Sequence, residues 1–193
     1  METKKGLPII AFTSQEEWQQ WLEEHHETSD GLWLKLAKKS SGIESVTRGE
    51  AVEVALCYGW IDSQAASFDD QYWLQRFTQR TSRSKWSKLN REMATRLMEE
   101  GKMQPAGIRE VERAQEDGRW DRAYAPPSTI TVPDDLQEAL DDNPQAKAFF
   151  EELDSANRYA ILYRIHDAKK PETRARRIKK YVKMLRNQEK IHD

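Results

Sequence analysis

One cysteine, Cys57, stands in 193 residues, so no disulfide can form within the chain. That excludes the oxidised scaffold of a small secreted domain. The four histidines, at positions 25, 26, 166 and 192, offer no metal-ligand spacing. His25 and His26 are adjacent, so on a helix they point about 100° apart, and no Cys or His pair has the separation that zinc needs. The eight glycines are scattered singly and build neither a phosphate-binding loop nor a Gly-x-Ser-x-Gly elbow. No run of about 18 apolar residues exists, which excludes a spanning helix. The start, METKKGLPIIAF, interrupts its short apolar stretch with a proline and does not read as a signal peptide. Together these absences lead us to expect a cytoplasmic protein with no cofactor, no metal and no membrane contact.

What the chain does have is bulky apolar mass and segregated charge. Seven tryptophans, six tyrosines and five phenylalanines are enough for a core, in a length that fits one domain or one domain with a small appendage. The net charge of -2 conceals alternating zones. Residues 1–75 carry 6 basic and 13 acidic groups, and 76–102 carry 8 and 3. Residues 103–157 carry 5 and 13, and 158–193 carry 12 and 4. Such zones either pair with one another in the fold or present two basic surfaces to a partner.

Local signals lay out the elements. Thr13 or Ser14 caps a first helix, with Glu16 or Glu17 as the capping-box partner, and Trp18, Trp21, Leu22 and His25 share one helical face. GLWLKLAKK, 31–39, alternates like a strand. Thr47 and Glu50 form a second capping box, opening a helix that Gly59 ends. Residues 60–68 and 72–77 read as a hairpin turning at Asp69-Asp70. Leu89, Met93 and Leu97 form a helical stripe stopped by Gly101, and Pro105 opens a further helix that Gly118 stops. AYAPPSTITVP then breaks the pattern with three prolines, after which helices are expected over 134–141, 144–153, 155–166 and from Pro171. The expected fold class is α+β: a small antiparallel sheet with helices over 1–124, a linker at 125–133, and an all-helical C-terminal segment over 134–193.

No catalytic constellation stands out. Cys57 falls near the C-terminal end of its helix, where the dipole disfavours a thiolate, and reads as a buried structural residue. Asp69 and Asp70 read as turn formers. The stretch QRTSRSKWSKLN, 79–90, has more to offer. Arg76 on the preceding strand, then Arg80, Arg83 and Lys88 around Trp86, bring guanidinium groups to a helix start that Ser84 or Ser87 can cap. That combination suits a phosphate or carboxylate. In this reading Asp62 orients an arginine and Trp86 walls the site or stacks on a planar ligand. The bland reading makes Trp86 core and pairs the arginines with the acidic first segment.

With ALCYGWIDSQ, WLQRFTQRTSRSKWSKLN, GKMQPAGIREVERAQEDGRW and ILYRIHDAKKPETRARRIKKYVKML in view, the chain resembles the YdeI/OmpD-associated family of bacterial proteins over about residues 10–188. The resemblance implies an N-terminal α+β domain, a C-terminal helical segment, and a role in bacteriocin protection or association with an outer-membrane porin. It brings no catalytic residue set. The expectation is a non-catalytic stress or bacteriocin-protection accessory that binds a small anion or anionic partner at Asp62, Arg76, Arg80, Arg83, Ser84, Trp86 and Lys88. The alternative is a nucleic-acid accessory using the basic zones 76–102 and 158–190.

Overall fold

A computed structural model of the chain describes residues 2–192. Two N-terminal caps written in the sequence open two of its helices, and the second is a full capping box. In α1 (Gln15–His25) the Ser14 hydroxyl accepts from the Glu17 amide while the Glu17 carboxylate accepts from the Thr13 amide. In α2 (Arg48–Cys57) Thr47 and Glu50 satisfy each other's backbone N–H groups reciprocally. Gly59 follows with φ +72, and a Cβ there would come within 2.9 Å of the Ala106 carbonyl, so the stop admits little but glycine.

The sheet has five strands in the order β1-β2-β3-β5-β4. The strands are β1 (Thr3–Lys4), β2 (Leu7–Ala11), β3 (Leu32–Ala37), β4 (Trp60–Ser67) and β5 (Tyr72–Gln79). The expected antiparallel hairpin of β4 with β5 is present, β3 pairs antiparallel with β5, and β1 and β2 extend the sheet beyond them. Because β2 runs parallel to β3, with α1 as the crossover, the sheet is mixed. Asp69 makes the turn of the β4–β5 hairpin by accepting from the Gln71 and Tyr72 amides.

Alternation sorts the strand side chains. Leu32, Leu34, Leu36 and Phe77 join Trp18, Leu22 and Trp60 in the core beneath α1 and α2. Trp18 stacks on Trp21 at 5.6 Å and donates its indole N–H to the Ala51 carbonyl at 3.0 Å, which satisfies the one polar atom it buries. Trp33 and Leu74 are buried on the opposite face. There Trp33 donates to the Lys4 carbonyl, and Lys5, at the tip of the β1–β2 hairpin, reaches Gln64 on β4.

The chain divides into two compact units. The first runs to Trp86 and resumes over Asn90–Ala123, while the second takes Ser87–Leu89 and the chain from Tyr124 onward. The first holds α3 (Lys88–Glu99) from Asn90, and α4 (Pro105–Glu116). The second is helical: α5 (Asp134–Asp141), α6 (Pro144–Glu152), α7 (Ser155–His166) and α8 (Pro171–Arg186) pack around Leu136, Leu140, Phe150, Ile161, Leu162 and Leu185. Buried Asn157 ties the end of the chain to α7, its amide oxygen accepting from the Ile191 and His192 amides at 2.9 Å each. All seven tryptophans fall in the first unit. Among the described residues no helix is long and apolar enough to cross a membrane.

Candidate functional site

The basic stretch after β5 is held from within. Arg80 begins it by donating its amide to the Gly59 carbonyl. Its guanidinium lies 3.8 Å from the centre of the Trp86 ring and donates to the Lys85 carbonyl. A second arginine, Arg119, comes in from beyond α4. Its Nη1 donates to the carbonyls of Thr81 (3.3 Å) and Ser84 (2.8 Å), and its Nε is held by Asp117. Trp86 meets Trp120 edge-on at 5.0 Å. Arg80, Trp86 and Arg119 are 5%, 2% and 9% exposed, so this is an interior clasp that fixes the loop.

Three of the loop's backbone donors are also engaged inside the loop. The Thr81 amide donates to the Ser84 hydroxyl, the Arg83 amide to the Thr81 hydroxyl, and the Ser84 amide to the Thr81 carbonyl. Of the residues expected to form one site, the structure gathers Arg80, Ser84 and Trp86. Arg83 is exposed. Lys88 is exposed and belongs to the second unit, its amide donating to the Tyr124 carbonyl. Arg76 lies cross-strand from Trp33, on the sheet face away from the helices. Asp62 does orient an arginine, but that arginine is Arg48, at 2.6 Å.

The sequence reading missed Arg119, Trp120 and Glu110. Glu110 on α4 pairs with Arg113 and lies in the field of Arg119 and Arg80. Burial nevertheless holds its carboxyl above the ordinary carboxylate range. Cys57 is buried and its thiol is pushed up to about 11, first by burial and then by the Glu53 carboxylate, so at neutral pH it is not a nucleophile.

In the second unit, α8 and α5 enclose an open groove of about 690 Å³. Ala139 on α5 and Ala175, Ile178 and Val182 on α8 form its apolar floor. The α8 residues fall at i, i+3 and i+7, one stripe of the helix. Arg174 pins the two helices together, gripping both carboxylate oxygens of Asp135 (2.5 and 2.8 Å) while donating to the Ile165 carbonyl. Beside the floor runs a second stripe at i, i+4 and i+7, Lys179, Lys183 and Arg186, none of which has an ion-pair partner among the described residues. The acidic helices therefore neutralise α8 at Arg174 and leave this rim positive, with Asp142 alone to face it.

Two family models match the chain. A domain of unknown function, DUF8412, covers residues 10–110, and the model described as Bacteriocin-protection, YdeI or OmpD-Associated covers residues 129–188, which include the whole groove. No curated protein and no solved structure matches the chain.

Proposed function

We propose, for a chain that belongs to the DUF8412 family and carries a bacteriocin-protection, YdeI or OmpD-associated segment behind that domain, a non-catalytic accessory role in the cytosol. It contributes to bacteriocin protection by binding an anionic partner, an acidic amphipathic helix of another protein, in the α5/α8 groove. One observation carries this reading: an apolar floor runs beside three cations that no carboxylate among the described residues engages. An amphipathic helix buries its apolar stripe in such a floor and lays its acidic flank along such a rim. A nucleic acid offers phosphates to the rim but nothing to the floor, which weighs against the nucleic-acid alternative. The Trp86 loop has a smaller place in the proposal. Arg83 is an exposed cation of that loop, while Arg80, Ser84 and Trp86 hold its shape.

The test combines a bacteriocin challenge with a binding measurement on K179E/K183E/R186E. Loss of protection, together with loss of anisotropy change for a labelled acidic amphipathic peptide and an unchanged circular dichroism spectrum, supports the reading. Protection that survives the triple reversal overturns it. So does duplex DNA that outcompetes the peptide at low salt and loses its affinity steeply as salt rises, because that is the signature of phosphate contacts.

A further inference from the structure

The first unit contains a second, smaller cavity, distinct from the groove and unrelated to the Trp86 clasp. It measures about 240 Å³, the volume of about eight waters at ~30 Å³ each. Its floor is apolar, made by Val54 and Cys57 on α2 and by Leu97 on α3. Around that floor stand neutral hydrogen-bonding groups, the amides of Gln15, Gln19 and Gln104 and the phenol of Tyr58, and two opposite charges, Glu53 and Lys102, complete the lining.

The lining is fixed by contacts outside the cavity. The Gln104 amide donates to the Cys57 carbonyl. Gly107 brings α4 so close to the end of α2 that a Cβ would lie 2.3 Å from that same carbonyl. Glu53 is held by Arg96 at 2.9 Å and Lys102 by Glu100 at 2.7 Å, so both charges are positioned before anything enters. Gln15 is half-buried, and its side-chain amide makes no hydrogen bond among the described residues. Burial holds the Tyr58 hydroxyl in its protonated, donating form.

We infer that this cavity is a binding site for a small zwitterion, a free amino acid or a compound of similar size and charge. Its ammonium is taken by Glu53, its carboxylate by Lys102, and its polar edges by the glutamine amides. Either charge alone would select a simple ion. The pair, set around a patch of neutral amides in a space this small, selects a molecule that carries both.

Cys57 in the floor supplies the readout, because an occupant shields it from alkylation. The experiment follows modification of Cys57 by N-ethylmaleimide at mildly alkaline pH, by mass spectrometry, with glycine, alanine, glutamine, glycine betaine, acetate, ethylammonium or glycerol present. The expected result is a several-fold slowing by at least one zwitterion and none by acetate, ethylammonium or glycerol. Glu53→Gln, Lys102→Met and Gln15→Leu should each raise the half-protecting concentration about tenfold, the value of one charge-assisted or buried hydrogen bond. Gln15→Leu removes no side-chain hydrogen bond among the described residues, and an unchanged circular dichroism spectrum separates its effect from misfolding. Equal protection by the single-charge compounds overturns the assignment. Unchanged alkylation with every compound, in a protein whose Cys57 does react, overturns it as well.

Discussion

The guanidinium of Arg80 lies over the Trp86 ring, 3.8 Å from its centre, and Arg119 holds the Thr81 and Ser84 carbonyls of the loop between them. In a buried setting such a cation–π contact is worth about 2 kcal/mol, and truncating a buried tryptophan costs about 3–5 kcal/mol. Trp86→Ala should therefore lower the urea stability of the first unit by that larger amount and Arg119→Ala by about 2–3 kcal/mol, since it removes the charge-assisted hydrogen bonds to the Thr81 and Ser84 carbonyls. Arg83→Ala, on the exposed side of the same loop, should fall within about 0.5 kcal/mol of wild type. Equal losses at Arg83 and Arg119 would refute the clasp.

Gly107 predicts a steeper response than the turn glycine Gly101. Alanine there drives a methyl into the Cys57 and Leu56 carbonyls, the backbone of a packed helix, and should cost about 3 kcal/mol or more. At Gly101 nothing stands within 4 Å, and only the φ of +68 opposes a side chain, so Gly101→Ala should cost about 1 kcal/mol. Parallel denaturant titrations of the two variants measure the difference.

The Cys57 thiol should react slowly at neutral pH, its alkylation rate climbing about tenfold per pH unit until it levels near pH 11. Glu53→Gln removes the second-largest cause of that elevation and should bring the plateau to lower pH. A plateau near the ordinary thiol value, about 8.5, would show that the thiol is not desolvated.

The Arg174 guanidinium, by hydrogen bonding first and charge second, holds the Asp135 carboxyl below its ordinary value. A depressed folded-state pKa contributes stability that is present above the unfolded value, about 3.9, and disappears as pH falls through the folded one. Acid titration, followed by amide hydrogen exchange of α5 and α8, should show a loss below about pH 4 that is shallower in Asp135→Asn. Because both side chains reach solvent, the difference should be small and should shrink in high salt.

Helices were legible wherever their signals were local. Thr47 with Glu50, Ser14 with Glu17, and the prolines opening α4, α6 and α8 all act within a turn of the helix end, so spacing alone reveals them. LPIIA is too short and too proline-marked to announce a strand, and its parallel partner in β3 lies across α1, beyond any local pattern. The same distance limit applies to the sites. The bland reading of Trp86 as core is the one its burial bears out, and the arginine that fixes its loop sits 35 residues from the Ser84 carbonyl it holds. Composition around Trp86 registered the cations but not which carbonyls they would find. In α8 the apolar stripe was legible and the surrounding cations counted. That Arg174 alone among them would meet the acidic helix α5, leaving Lys179, Lys183 and Arg186 without an ion pair among the described residues, emerges only from the packing.

The placement of every tryptophan in the first unit has a practical corollary. Tyr124, Tyr159, Tyr163 and Tyr181 lie in the second unit, three of them linked ring to ring in the series Tyr124, Tyr163, Tyr159. Indole emission thus serves as a private channel for one half of the molecule, while phenol signals are shared between the halves. A ligand titration that quenches the indoles speaks for the sheet and its cavity, and one that leaves them silent while heat release continues speaks for the helical groove. The chain carries its own two-colour label, and no dye need be attached to learn which half has been engaged.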